Sequence, residues 1–554
     1  MRLLLLLLLL LGRTTPQAAN AGIEGVVFRT GTSEPIPRAE ITLTLSDKTI
    51  ATTSADGDGK FSLRGLAAGT YTIRIQRDGF FGSSTFSESS AQRLLDAAAV
   101  SSGIVFGDRA PTRGITETIE FAASQNLIRR TYYLTPEGVL TGQVRGNAGP
   151  LAGATVTALR LGYRSGQQTL IPIKTARVDD RGNFRITSLE AGEYFVRADV
   201  MQPEGDLRSY YPATQSPEES VLVRVEAGGE SSRVDIFLSG LHTRTLSGTV
   251  ANRSIVPPTV NQRTARFMLV PTNRDRILDG STDVQNSVED PADLANGKFE
   301  IRGVRPGTYD LVAAFSERVV GATTSFRFPM YVGRTRVVVG SEDVRGVSLN
   351  VSSGIQLRGR MVFAGDAVLP AGSRYRVSVF PAAGFPLVVP ASAEVQTDGT
   401  FTIPAIPAIP STVVVAGFPN DTYIADLRQD GRSVFDDGIF NVEPPNTSIE
   451  IVLSSPGAVV TGRVSASKQQ ATVVLVPLAH RANPMLYQRA MASASGDFLF
   501  SGVAPGAYRV FAFENIPESA ELNSRFMDSF RDAGVEVITA AGRTSTIEIG
   551  LASR

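Results

Sequence analysis

The chain has no cysteine and no tryptophan, and only two histidines, His242 and His480, among its 554 residues. Without cysteine there are no disulfide staples, no thiolate metal sites and no lipid-modified cysteine anchor. A zinc peptidase needs imidazoles and a carboxylate converging on one ion, and these two histidines, more than two hundred residues apart and in different repeats of the chain, are not expected to supply it. A Ser-His-Asp relay would need one of the same pair, and neither lies near a Gly-x-Ser-x-Gly elbow. A phosphate-cradling G-x-x-x-x-G-K-[ST] loop is also missing. The sequence therefore points to no catalytic, cofactor-binding or metal-binding residue, and a protein that is not an enzyme is expected.

An excess of either charge is missing too: Lys plus Arg and Asp plus Glu are both 54, so the formal net charge is zero. No global field draws the chain to nucleic acid. Lysine is scarce, at Lys48, Lys60, Lys174, Lys298 and Lys468 only, so nearly all the positive charge is arginine. Beyond the first residues no apolar run is long enough to span a bilayer. The start itself, MRLLLLLLLLLGRTTPQAANAG, has a basic residue, nine leucines from Leu3 to Leu11, and Ala19-Asn20-Ala21 before Gly22. A charged start, a short apolar centre and a small-x-small end make residues 1–21 a predicted secretory signal peptide. Export to the periplasm, the outer membrane surface or the exterior follows.

Glycine (52) and proline (31) are plentiful, as expected of a turn-rich all-β chain. One phrase recurs five times: DGDGKFSLRGLAAGTYTIRI at 56–75, DDRGNFRITSLEAGEYFVRA at 179–198, and relatives at 295–315, 397–418 and 494–514. Each has a Gly turn, then Phe61, Phe184, Phe299, Phe401 or Phe498, a short alternating strand, a second turn and another alternating strand, which reads as a strand pair. In the second copy Phe184 and Ile186 share a core face, as do Tyr194, Val196 and Ala198, with Arg185 and Arg197 opposite, towards water. Upstream of each phrase lies a strand around Gly25, Gly142, Gly248, Gly359 or Gly462, and downstream an alternating closing strand. The glycines recur roughly every hundred residues, the size of one β-sandwich.

The expected organisation is a tandem array of about five small antiparallel β-sandwich modules, transthyretin-like or Ig-like, after the signal peptide: 22–135, 136–240, 241–353, 354–455 and 456–554. Links as short as Pro136-Glu137-Gly138 predict a semi-rigid rod. Residues 87–100 of the first module read as a short helix. The polar stretch 275–296 of the third reads as an insertion, and both are candidate partner-contacting surfaces.

The five copies of G-x-V, Pro-x-x-x-Ala-x-[Val/Ile], D-x-x-G-x-F and G-x-Y resemble carboxypeptidase regulatory-like domains, transthyretin-like sandwiches also grouped with the carbohydrate-binding-like fold. The first module carries Gly25-Val26-Val27, Ile36-Pro37-Arg38-Ala39-Glu40-Ile41, Gly59-Lys60-Phe61 and Gly69-Thr70-Tyr71. Module four departs, with Ile406-Pro407-Ala408-Ile409-Pro410 where the Gly-x-Tyr turn belongs. The resemblance implies a fold and an accessory role, and it names no chemistry.

Three functional readings remain. The first is an exported structural, adhesive or protein-binding element of the cell envelope. The second is a carbohydrate-binding protein, with an unknown envelope polysaccharide as partner and Phe80-Phe81, Tyr132-Tyr133 and Tyr210-Tyr211 as the candidate ligand platform. The third is a soluble accessory relative of an outer-membrane receptor. Asp56-Gly57-Asp58-Gly59 resembles the start of a calcium loop, but Lys60 and Phe61 follow it, and a hairpin turn needs the same residues.

Overall fold

A computed structural model describes residues 22–82, 114–121, 127–200, 207–238, 244–251, 266–273, 276–279, 297–318, 326–365, 374–382, 391–465, 471–493 and 495–552. The predicted signal peptide, the predicted helix at 87–100, His242 and most of the 275–296 insertion lie outside them.

Period-2 alternation builds the strands. In Lys60–Arg64, Phe61 and Leu63 are buried while Lys60, Ser62 and Arg64 are exposed. In Gly69–Gln76 the buried residues are Tyr71, Ile73 and Ile75. These two strands do not pair with each other, contrary to the strand-pair reading of the phrase. Lys60–Arg64 lies antiparallel to the opening strand Gly22–Arg29, and Gly69–Gln76 lies antiparallel to Glu40–Leu45 in the facing sheet. The second turn is a corner that carries the chain across the sandwich.

The same wiring recurs. The opening strands Gly138–Gly146, Arg244–Ala251, Ile355–Phe363 and Ala458–Val464 pair with the first phrase strands Asn183–Leu189, Lys298–Val304, Thr400–Ile406 and Asp497–Val503. The second phrase strands join the other layer. The closing strand runs parallel to the opening strand in every module, for example Ile128–Pro136 on Gly22–Arg29 and Asn446–Ser454 on Ile355–Phe363. The sheets are therefore mixed rather than purely antiparallel. A closing strand that returns from the far layer re-enters in the direction of the opening strand. Each module closes its own core, drawn from within residues 23–134, 140–238, 246–351, 355–453 and 458–549. Module three departs: its long strand Phe326–Val339 pairs with both Gly307–Arg318 and Val344–Ser352, joining its two layers into one six-stranded sheet.

One residue pair explains the motif spacing. The opening-strand glycine faces the phrase phenylalanine across the ladder in all five modules: Gly25 with Phe61, Gly142 with Phe184, Gly248 with Phe299, Gly359 with Phe401, Gly462 with Phe498. A Cβ would fall 2.8 Å from the ring of Phe498 at Gly462 and 2.9 Å from that of Phe299 at Gly248. At Gly25 and Gly359 it would overlap the ring outright, and at Gly142 it would meet the Val234 carbonyl. Glycine is needed here because the backbone is crowded, first by the phenylalanine ring at Gly25 and Gly359, and first by the closing-strand carbonyl of Val234, Val347 or Ile547 at Gly142, Gly248 and Gly462.

The corner has its own fastening. Tyr71, Tyr194 and Tyr309 of Gly-x-Tyr each donate a hydroxyl hydrogen bond to the carbonyl four residues back, Ala67 (3.1 Å), Glu190 (2.7 Å) and Arg305 (2.9 Å). Module four, which lacks the tyrosine, fixes its corner by reciprocal backbone hydrogen bonds between Ser411 and Phe440 at 2.9 Å and by Ser411 Oγ donating to the Ile409 carbonyl at 3.0 Å.

The expected rod is not what forms. Module five returns to module two, where the Tyr163 and Phe526 rings sit 5.4 Å apart and Asn523 Nδ2 donates to the Gly166 carbonyl at 2.7 Å. The tie comes from residues 514–534, which carry the helix Ser524–Asp528 and cover the outer face of the strand Thr472–Pro477. That strand, TVVLVP, is buried on both faces.

Two outcomes follow. Gly359→Ala lowers the stability of module four by about 1–3 kcal/mol through overpacking, read as earlier urea unfolding and faster amide exchange confined to 355–453. Phe526→Ala removes the ring that meets Tyr163, and the radius of gyration from small-angle scattering increases; an unchanged value contradicts the tie.

Candidate functional site

The aromatic pairs proposed as a ligand platform are split by the strands that carry them. Phe81, Tyr132 and Tyr210 are buried, at 5%, 5% and 0% exposure. Phe80 packs against the core of module one, and Tyr211 against that of module two. Tyr133 alone among the six presents a large exposed face, with Phe28 at 6.3 Å. Consecutive strand residues point to opposite faces, so a doublet cannot offer two rings to one sugar. Tyr132 is spent on Glu117, donating its hydroxyl at 2.8 Å, and burial together with that carboxylate raises its pKa.

The Asp-Gly turns use their carboxylates internally. Asp56 Oδ1 accepts from the amides of Asp58 (2.9 Å) and Lys60 (2.8 Å), and Asp179 Oδ1 from those of Arg181 (2.9 Å) and Asn183 (2.7 Å). The Asn183 amide is the main reason that the Asp179 carboxyl titrates below its ordinary value. Among the described residues no three His, Cys, Asp or Glu side chains gather as a metal site would require.

What the fold does gather is an open polar hollow of about 820 Å3 on the outward face of module two. Thr141 and Gln143 of the opening strand, Asn183 and Arg185 of the first phrase strand, and Glu230 and Asp235 of the closing segment line it. The side chains are hydrogen-bonded in two groups. Arg185 Nη1 donates to Glu230 Oε2 at 2.9 Å, Thr141 Oγ1 to Glu230 Oε1 at 2.9 Å, and Gln143 Nε2 to Asn183 Oδ1 at 2.8 Å. The Arg185 hydrogen bond, helped by Thr141, holds the Glu230 carboxyl below its usual range. Arg177 and Arg233 complete the rim. A counterpart of about 570 Å3 occupies the same place on module one, lined by Glu24, Val26, Lys60, Ser62, Arg129 and Thr131. Such surfaces can hold a polar or charged segment of a partner by side-chain hydrogen bonds.

A second cluster joins modules two and three. Asp279, fully buried, receives Arg197 Nη1 at 2.6 Å, Arg208 Nη1 at 3.0 Å and the Tyr210 hydroxyl. Arg197 also pairs with Asp199 at 2.8 Å. The neighbouring residues Leu278–Asp279 add a short parallel strand to Gln167–Arg177 of module two, and Glu218 accepts from the Ile277 amide at 2.6 Å. Desolvation pushes the Asp279 carboxyl up, but Arg197, Arg208 and the Tyr210 hydroxyl outweigh it and hold the pKa down at about 2. Desolvation and the adjacent carboxylate raise the Tyr210 hydroxyl well above its ordinary value.

Alternation alone puts Arg197 in water, and composition alone makes 275–296 an external loop. The described part of that stretch, 276–279, instead docks on module two and buries Arg197 to 6% exposure. No motif marks the segment 514–534, although the unbroken apolar run TVVLVP is the signature of a strand covered on both sides.

The class defined by this architecture is a tandem β-sandwich protein. More narrowly, it contains a carboxypeptidase regulatory-like domain, since residues 22–93 match that family. No curated protein matches the chain. Among solved structures, the TIE protein of Bacillus anthracis is similar at 11% identity over 75% of this chain and 68% of that one, with a TM-score of 0.14. GBS52, the minor pilin of Streptococcus agalactiae, is similar at 13% identity over 40% of this chain and 96% of its own, with a TM-score of 0.20. BcpA, the major pilin subunit of Bacillus cereus, gives 12% identity, 60% and 100% coverage, and a TM-score of 0.16.

Asp279→Asn removes one member of a buried charge cluster and is expected to weaken the docking of module three by about 3–5 kcal/mol. Because the folded-state pKa is depressed, the stabilisation from Asp279 is complete above the ordinary carboxylate value of about 4. It is lost as the pH falls through about 2. Melting followed from pH 7 to pH 2 should show the Asp279→Asn variant and the parent converging only at the acid end.

Proposed function

We propose that the protein is an exported, non-enzymatic scaffold of the cell envelope, structural or adhesive, that binds a protein partner on the outward sheet faces of its modules. The observation that carries this reading is the polar hollow of module two with its counterpart on module one: the same location on two sandwiches, lined by charged and amide side chains rather than by exposed aromatic rings. The inter-module contacts support it. Modules one and two, which carry the hollows, meet where Arg29 Nη2 donates to the Ala227 carbonyl at 3.5 Å and the Glu137 amide donates to the Gly79 carbonyl at 2.8 Å, while Asp279 under Arg197 and Arg208 and Phe526 against Tyr163 fasten modules three and five to module two. The leader sequence supports export, and the short links support a body that bears load without long flexible joints.

The test joins localisation with binding. Full-length chain expressed in a bacterium should appear in the envelope fraction with its new N-terminus at Gly22. The purified mature chain should bind envelope material whether or not soluble glycans are added. Arg185→Glu with Arg233→Glu should reduce that binding about tenfold or more, through repulsion and loss of the Arg185–Glu230 pair. Binding abolished by a soluble polysaccharide, and unaffected by the charge reversals, would instead favour the carbohydrate reading.

A further inference from the structure

Module five holds a second kind of cavity, of about 270 Å3, on the face of the sandwich covered by residues 514–534. Its floor is apolar: Val476, Phe511 and Met527 are all buried. Three guanidinium groups stand over that floor from three different elements. Arg481 comes from the loop after Thr472–Pro477, Arg509 from the strand Gly506–Phe513, and Arg531 from the turn Arg531–Ala533.

The carboxylates nearby do not satisfy these groups. Asp528 Oδ1 is shared, taking Arg481 Nη1 at 3.1 Å and Arg531 Nη2 at 3.6 Å, and Glu536 pairs with Arg509. Three positive charges thus face two negative ones. The Nε donors of Arg481 and Arg509 are buried and have no hydrogen-bond partner. A buried guanidinium N–H without an acceptor costs more than a neutral donor in the same position, so the two arginines stand in a region short of acceptors. The stem of Arg509 is held in place: Phe511 and Arg509 pack so closely on Gly534 that a Cβ there would fall 2.6 Å from both. The arginine is therefore preorganised on its aromatic support.

We propose that this pocket binds a small oxyanion, a carboxylate or a phosphate, with Arg481 and Arg509 as the inner ligands and Arg531 at the rim. Planar guanidinium groups suit two-oxygen anions, because each can present paired N–H donors to them. The bound anion is met by the terminal N–H donors of Arg481 and Arg509 and takes over from Asp528 the longer of its two pairings. The Arg531 side chain, 62% exposed, lies where an entering ligand would first be met.

The test is calorimetric titration of the full mature chain, in low-salt buffer free of phosphate, with inorganic phosphate and separately with glucuronate. One saturable site per chain for either ion is expected; phosphate alone or glucuronate alone would tell which source of the oxyanion the pocket accepts. Arg481→Gln with Arg509→Gln should weaken binding by at least about tenfold, as expected for lost charged hydrogen bonds. Should that double variant not fold, the exposed Arg531→Gln decides, with an expected weakening of a few fold and a flatter salt dependence. No saturable binding of either ion overturns the proposal, as does undiminished binding in the folded variants.

Discussion

The constraint on which the architecture depends is the pairing of a glycine of each opening strand with a phenylalanine of the neighbouring strand, where the backbone is too crowded for a Cβ. It appears in all five modules at the same register position, and it couples two segments far apart in sequence. A side chain on the glycine would strike the ring or the closing-strand carbonyl beside it. Loss of the ring would leave bare backbone facing a void in the centre of the core, at a cost typical of deleting a buried aromatic, about 3–5 kcal/mol. Because side chains alternate with period 2, fixing this one pair fixes the facing of both strands. Everything outward of the pair, including the polar hollows, inherits its position.

Much of this is legible in the sequence, and the limits of legibility follow physical lines. The buried residues Phe184, Ile186, Tyr194 and Val196 are readable because alternation is local. That the two strands of the phrase belong to opposite layers is not, since partner choice is set by contacts with distant segments. Arg197 shows the same limit for a face: alternation says which side of the sheet it occupies, and Asp279 from the next module decides that this side is dry. The doublets mislead because adjacency along the chain does not put side chains together: Tyr210, the last residue of its strand, goes into the inter-module junction, and Tyr211, in the turn that follows, to the core of module two.

The modules differ mainly in what has been added to a common frame. Module four replaces a tyrosine corner with a backbone exchange between Ser411 and Phe440. Module three extends one strand until its layers merge, and contributes Asp279 to its neighbour. Module five carries residues 514–534, which turn an outer sheet face into a second small core, reach module two and wall the arginine pocket. Individual function on a repeated scaffold is thus placed in the additions, while the repeated residues serve the fold.

The central claim is that the five sandwiches form one doubled-back body. A direct measurement is the distance between modules two and five in solution, by pulsed electron spin resonance on labels at Lys174→Cys and Arg525→Cys, positions that are exposed in a chain with no cysteine of its own. A single narrow, short distance distribution is the predicted result. A broad distribution extending to the span of several modules would mean that the chain is an open string and that the Tyr163–Phe526 contact does not hold it.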